Sequence, residues 1–102
     1  MNNLKNTIIV LKDKEIIKNV GKKIAESLSP CNYYIEDNNI SYFDGTDLIV
    51  KIPVFDTIND NTIDDKIVIG EIPFSLIKKV KKYFIVKIKN NDVIFVEYKK
   101  KI

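Results

Sequence analysis

The sequence predicts a small α+β domain in which two helices pack on an antiparallel sheet. First, apolar side chains recur every four residues from Ile16 to Leu28, which is typical of an amphipathic helix. Second, short β-prone runs are separated by Asn, Asp and Gly, which indicates hairpins. Third, 102 residues suit one modest core, so we expect residues 1–102 to form a single domain.

The N-terminal half is predicted to contain one strand, one helix and three further strands. Residues 6–12 are β-prone and short, as in an edge strand. Asp13 is a good N-cap for the first helix, and Ser29-Pro30 ends that helix. The three strands that follow are expected at residues 31–36, 40–43 and 47–54, with turns at Asp37-Asn38-Asn39 and Asp44-Gly45 between them.

The C-terminal half is predicted to contain a loop, a short strand, a helix and a hairpin. Residues 55–66 are polar, acidic and aperiodic, and residues 66–69 form the strand. Pro73 suits the first position of a second helix that buries Leu76, Ile77 and Val80. Residues 83–89 and 92–98 then form a hairpin, and a helix followed by such a "wing" gives the domain a winged-helix-like layout.

The apolar segment at residues 93–98 allows two interpretations. It is a central strand buried on both faces, or, if it lies at the edge of the sheet, it is the seam of a homodimer. The sequence does not distinguish these alternatives.

Charge is divided unevenly along the chain. Residues 36–71 carry nine acids against two lysines, a net of −7, and residues 72–102 carry nine lysines against two acids, a net of +7. The overall charge of +3 hides this polarity. A concentrated positive segment is the feature expected of a protein that binds a polyanion.

The predicted DNA-binding residues all lie in this C-terminal third. The helix and hairpin lysines would neutralise phosphates, and the tip asparagines would read a base or enter a groove. Alternatively, the lysines only solvate the surface and Asn-Asn is ordinary turn chemistry. The set comprises Lys78, Lys79, Lys82, Lys87, Lys89, Asn90, Asn91, Lys99, Lys100 and Lys101.

Other classes of function find little support in the sequence. There is no His, no Gly-rich phosphate loop and no nucleophile motif, so we predict no enzyme, no cofactor and no small-molecule substrate. Cys31 is the only cysteine and is expected to be a small packing residue. The acidic loop has no EF-hand spacing, so no metal site is predicted. No apolar run approaches the roughly 18 residues of a membrane span, and a cytoplasmic location is expected.

Two resemblances add to these expectations. Residues 40–53 (ISYFDGTDLIVKIP) and 72–82 (IPFSLIKKVKK) look like one module of a bacterial DNA-polymerase sliding clamp. The whole chain, with its Lys/Asn/Ile bias, N-terminal helix and Lys-rich helix plus hairpin, is similar to TcpK-type relaxosome accessory proteins of conjugative plasmids. The second resemblance implies a winged-helix-like protein that binds near the origin of transfer, with a relaxase as partner.

The sequence therefore predicts a non-enzymatic protein of a mobile element that binds double-stranded DNA as a homodimer. Paired modules are the common way for small domains to make enough contacts with a specific site. The alternatives are a sliding-clamp-like module and a protein-binding inhibitor or adaptor that uses its acidic face.

Overall fold

The computed structural model describes residues 4–59 and 62–99, which form seven strands, one α-helix and one short 3-10 helix. The helices are α1 (Lys14–Ser27) and the 3-10 helix (Phe74–Lys79). The strands are β1 (Thr7–Val10), β2 (Asn32–Ile35), β3 (Asn39–Asp44), β4 (Asp47–Phe55), β5 (Ile67–Gly70), β6 (Lys82–Lys89) and β7 (Asp92–Tyr98).

All seven strands belong to one mixed sheet in the order β2-β3-β4-β1-β5-β6-β7. The four middle strands, from β4 to β6, are parallel to one another, whereas β2-β3-β4 and β6-β7 are antiparallel. The prediction of an antiparallel sheet was therefore wrong.

Strand β1 lies at the centre of the sheet and not at its edge, contrary to the prediction. Its four residues are apolar or small on both faces and all are buried, as is usual for parallel strands covered on both sides. Ile9 belongs to the core under α1, and Ile8 belongs to a second core on the opposite face. The short length of the segment, which suggested an edge strand, reflects instead a strand that crosses a small core.

The first helix was predicted correctly. The Asp13 side chain accepts hydrogen bonds from the backbone N–H groups of Glu15 (2.9 Å) and Ile16 (3.2 Å), so it is the N-cap. The helix buries its apolar stripe on one face of the sheet, with Val20 and Ile24 fully buried. The three expected strands after the helix are also present, as β2, β3 and β4.

The second helix is not an α-helix, and the winged-helix-like prediction was wrong. Only a six-residue 3-10 helix follows Pro73, which is its N-cap. It covers the face of the sheet opposite α1, where Leu76, Ile77 and Val80 pack against Tyr83. So short a segment has to cross back from the end of β5 to the start of the parallel strand β6, which leaves no length for a recognition helix.

A tyrosine hydroxyl ties the sheet to α1. Tyr42 on β3 has no exposed surface and donates a 2.8 Å hydrogen bond to the Gly21 carbonyl oxygen. The helix and the strand approach closely here because Gly21 has no side chain; a Cβ on it would lie 3.1 Å from Ile40 Cδ1. Burial raises the pKa of Tyr42 well above its usual range, because the phenolate would lose its hydration.

We expect Tyr42→Phe to lower the free energy of unfolding by about 1–2 kcal/mol, because it removes one buried hydrogen bond. Tyr33→Phe is the matched control, since Tyr33 stacks on the Tyr42 ring at 5.7 Å but its hydroxyl has no hydrogen bond among the described residues. Urea denaturation measures the free energy of unfolding of both variants.

The same hydroxyl makes the stability depend on pH. A raised pKa keeps the phenol of Tyr42 neutral in the folded state, so wild-type stability should fall above about pH 10. The alkaline loss should be smaller in Tyr42→Phe, and equal costs for the two variants would contradict this role.

Candidate nucleic-acid interface

The predicted DNA-binding lysines do not form one patch. Lys82 begins β6, whereas Lys87 and Lys89 lie at its far end, next to the hairpin tip. Lys89 lies seven positions after Lys82, which is about 23 Å along an extended strand. The structure therefore divides the predicted set into two groups.

The larger group lies where the parallel strands begin, and we name it the basic end. Tyr83 pairs with Tyr98, so Lys82 and Lys99 flank the same cross-strand pair. The 3-10 helix ends beside them, and the Lys81 N–H donates a 2.8 Å hydrogen bond to the Lys66 carbonyl oxygen. The basic end consists of Lys66, Lys78, Lys79, Lys81, Lys82 and Lys99.

All members of the basic end are exposed except Lys66, which is half-buried. Two of them, Lys66 and Lys81, were not in the predicted set. The sequence could not point to Lys66 because it follows the acidic loop and reaches the other lysines only through the pairing of β5 with β6. Lys100 and Lys101 of the predicted tail lie outside the described residues.

Three acidic residues lie close to the basic end and partly offset its positive charge. Asp64 and Asp65 precede β5, and the Asp65 N–H donates a 3.2 Å hydrogen bond to the Lys79 carbonyl oxygen. Glu97 Oε2 lies 3.4 Å from Lys99 Nζ, and that lysine side chain is 82% exposed, so the pair is well screened by water. Counted over these described residues alone, six lysines against three acids give a local charge of +3.

The smaller group surrounds the hairpin tip. Asn90 and Asn91 both have positive φ angles, 53° and 64°, as the two central residues of a type I′ turn require. Their presence is thus accounted for by turn chemistry. Lys23 of α1 also reaches the tip, with its Nζ 3.4 Å from Asp92 Oδ2.

A shallow polar cavity of about 180 Å³ lies between α1 and the tip. Its lining mixes two lysines with two acids and two asparagines, so it carries little net charge. The sequence analysis missed Lys22 and Lys23 as neighbours of the tip, because 69 positions separate Lys23 from Asp92. The lining residues are Asn19, Lys22, Lys23, Glu26, Asn91 and Asp92.

The opposite end of the sheet, where the parallel strands finish, is acidic. Two adjoining open depressions of about 240 and 320 Å³ lie there and share Val10, Lys12, Asp56 and Glu71. Ligands of open α/β sheets often bind at this end of the strands. However, no three acidic or cysteine side chains in residues 4–59 and 62–99 are arranged to hold a metal ion.

Two features considered in the sequence analysis remain, the single cysteine and the possibility of a membrane span. Cys31 is half-buried against the core under α1, and its Sγ lies 3.5 Å from the Ala25 carbonyl oxygen. Within the part of the chain that the structure describes, neither helix has the length and apolarity needed to cross a membrane.

Comparison of the chain with protein-family models, with curated proteins and with solved structures finds no match. The described fold is a mixed seven-stranded sheet with one α-helix. The basic end lies where β5 and β6 begin, whereas Asp56 and Glu71, together with the smaller lysine group at the hairpin tip, lie where the parallel strands finish.

Proposed function

We propose that this is a cytoplasmic protein that binds double-stranded DNA, with the basic end as its main phosphate contact. The observation that supports the proposal most is the convergence of lysines from the segment before β5, the 3-10 helix, β6 and the end of β7 at one end of the sheet. These segments lie up to 33 positions apart, from Lys66 to Lys99, so their meeting is a property of the fold.

The chemistry of these residues favours phosphates over base edges. Lysine ammonium groups are point charges and lack the planar fork with which arginine recognises guanine. Each phosphate that a lysine neutralises adds about 0.9 to the slope of binding against salt concentration. We therefore expect strongly salt-dependent binding, with any sequence preference arising from DNA shape or from the hairpin tip.

The acidic end supports a defined orientation on the duplex. Asp56 and Glu71 lie at the end of the sheet remote from Lys82 and Lys99. Repulsion of phosphates by these carboxylates would direct the basic end towards DNA. Action near an origin of transfer, together with a relaxase, remains part of the proposal because of the resemblance described above.

The test is titration of the full chain into a labelled duplex at two salt concentrations. Its first variant is the triple substitution Lys78→Gln, Lys81→Gln and Lys82→Gln, and its matched control is Lys12→Gln, Lys14→Gln and Lys18→Gln. Both variants remove three charges from exposed positions, but only the first changes the basic end. We expect the first to reduce the salt slope by about 3, with at least tenfold weaker binding at low salt, because three phosphate contacts are lost.

Equal losses in the two triple variants would mean that only net charge matters and would contradict the assignment of the basic end. A duplex taken from beside the gene, compared with a scrambled one, tests the relaxosome role. Absence of binding to both duplexes would refute the proposal and favour the clamp-like or adaptor alternatives.

A further inference from the structure

We propose that the outer edge of β7 is a homodimer interface, at which β7 pairs antiparallel with β7 of a second copy. Strand β7 is the last strand of the sheet, so one of its edges has no neighbouring strand among residues 4–59 and 62–99. The inference does not depend on DNA binding.

The free edge of β7 presents unpaired backbone groups. The two-residue turn at Asn90-Asn91 makes Lys89 and Asp92 a hydrogen-bonded pair, so alternate residues from Asp92 to Tyr98 bond to β6. Val93, Phe95 and Glu97 therefore direct their backbone N–H and C=O groups outwards. The Val93 N–H is satisfied by Asp92 Oδ1 at 2.9 Å, whereas Phe95 and Glu97 have no outward backbone partner in residues 4–59 and 62–99.

The two edges of the sheet differ in how well they are protected. Strand β2, at the other edge, has only four residues, and short edge strands are a common defence against pairing. Strand β7 has seven residues, contains no proline and carries apolar side chains on both faces. Val96 of β7 is 39% exposed; β2 also exposes apolar side chains, Tyr34 and Ile35, but it offers only four residues for pairing. A long apolar edge of this kind is expected to be covered by another strand.

A second copy fits this edge because the strand is self-complementary. The register that overlaps all seven residues places Phe95 opposite Phe95 of the other copy, and Val96 opposite Ile94. Glu97 then lies opposite Val93, beside the Asp92 that holds Lys23 at 3.4 Å. The register thus places the negative Glu97 of each copy on the side of the other that carries Lys23, and this arrangement of opposite charges favours the pairing, although each group also has an ion-pair partner in its own chain. The two-fold axis closes the assembly as a dimer.

The first test is the mass of the full chain in solution, measured by analytical ultracentrifugation. We expect a dimer at about 100 µM, a concentration at which an interface with a micromolar Kd is occupied. Glu97→Pro removes an outward N–H without removing a bond to β6, and Val96→Lys places a charge in the seam. Both variants should be monomeric with an unchanged circular dichroism spectrum. Ile88→Lys is the matched control, because Ile88 is 58% exposed but lies on β6, and it should remain dimeric.

The second test measures the register by disulfide formation in a Cys31→Ser background. In the proposed dimer Phe95→Cys faces its own copy at a Cα separation of about 5.5 Å, which a disulfide can bridge. Val96→Cys should not crosslink, because residue 96 faces residue 94 of the other copy. A monomeric wild-type chain, a dimer that survives both seam variants, or equal crosslinking at positions 95 and 96 would overturn the inference.

Discussion

Gly70→Ala is expected to lower the free energy of unfolding by about 3–5 kcal/mol. Gly70 ends β5 with a φ of 133°, a conformation that residues with side chains rarely adopt. A Cβ at this position would also overlap the carbonyl oxygen of Val10 on β1. Relief of that overlap would require β1 and β5 to separate, at the centre of the sheet where both cores meet.

A second bond depends on the same residue. The Gly70 carbonyl oxygen accepts a 2.9 Å hydrogen bond from the hydroxyl of Tyr83, which is buried in the core under the 3-10 helix. A shift of β5 would therefore disturb β6 as well. Urea denaturation of the purified variant measures the loss, provided that it folds; a failure to accumulate folded protein is the more extreme form of the same result.

Gly45→Ala is the control for this prediction. Gly45 also has a positive φ, 61°, but no atom lies within 4 Å of the place that its Cβ would occupy. Gly45→Ala should therefore lower the free energy of unfolding by only about 1–2 kcal/mol, the cost of a left-handed backbone conformation for a residue with a side chain. If the two alanine variants lost equal stability, close packing at Gly70 would not be the cause.

Loss of the β7 seam is expected to weaken DNA binding by about ten- to a hundredfold and to halve its salt slope, if both proposals hold. In the proposed register Lys99 lies opposite Asn91 of the other copy. The basic end of one copy would then adjoin the hairpin tip of the other, which reunites the two lysine groups that lie about 23 Å apart within one chain.

The same register spaces the two basic ends suitably for a duplex. Lys99 of one copy and Lys99 of the other would lie eight positions apart along the paired strands, or about 27 Å. One turn of B-DNA is about 34 Å, so a single duplex could contact both ends. Salt-dependent titration of Glu97→Pro against wild type measures the coupling, with Glu97→Gln, which keeps the N–H, as the control.

The possible outcomes separate the two proposals. If Glu97→Pro is monomeric and its salt slope is unchanged, DNA binding does not use the dimer. That result would contradict only the coupling of the two proposals and neither proposal by itself. A wild-type chain that is dimeric but binds no duplex would refute the DNA-binding proposal and leave the β7 dimer proposal standing. A halved slope in Glu97→Gln would assign the effect to the carboxylate at position 97 and not to the backbone N–H that proline removes.

Much of the local structure was predictable because it depends on neighbours in the chain. Asp13 as N-cap, the apolar stripe through Val20 and Ile24, and the β2-β3, β3-β4 and β6-β7 hairpins all follow from short-range spacing and turn chemistry. The positive φ angles of Asn90 and Asn91 fit the turn expected between two β-prone runs.

The candidate site was predicted only in part. Four of its six lysines belong to the predicted set. Lys81 lies in the same C-terminal third but was not in that set, and Lys66 belongs to the acidic segment of the sequence. It reaches the basic end because β5 pairs with β6 in parallel, and nothing within a few residues of Lys66 encodes that pairing.

The sequence by itself determined the first helix, the hairpins and the number of charges, because each is set by residues within a few positions of one another. Only the tertiary structure decided that β1 is central, that the segment after Pro73 is too short for an α-helix, and that β7 lies at the edge. Those outcomes depend on which apolar faces cover each other across the whole chain. The same long-range pairing brings Lys66 to the lysines at the start of β6 and places β7 where a second copy can reach it.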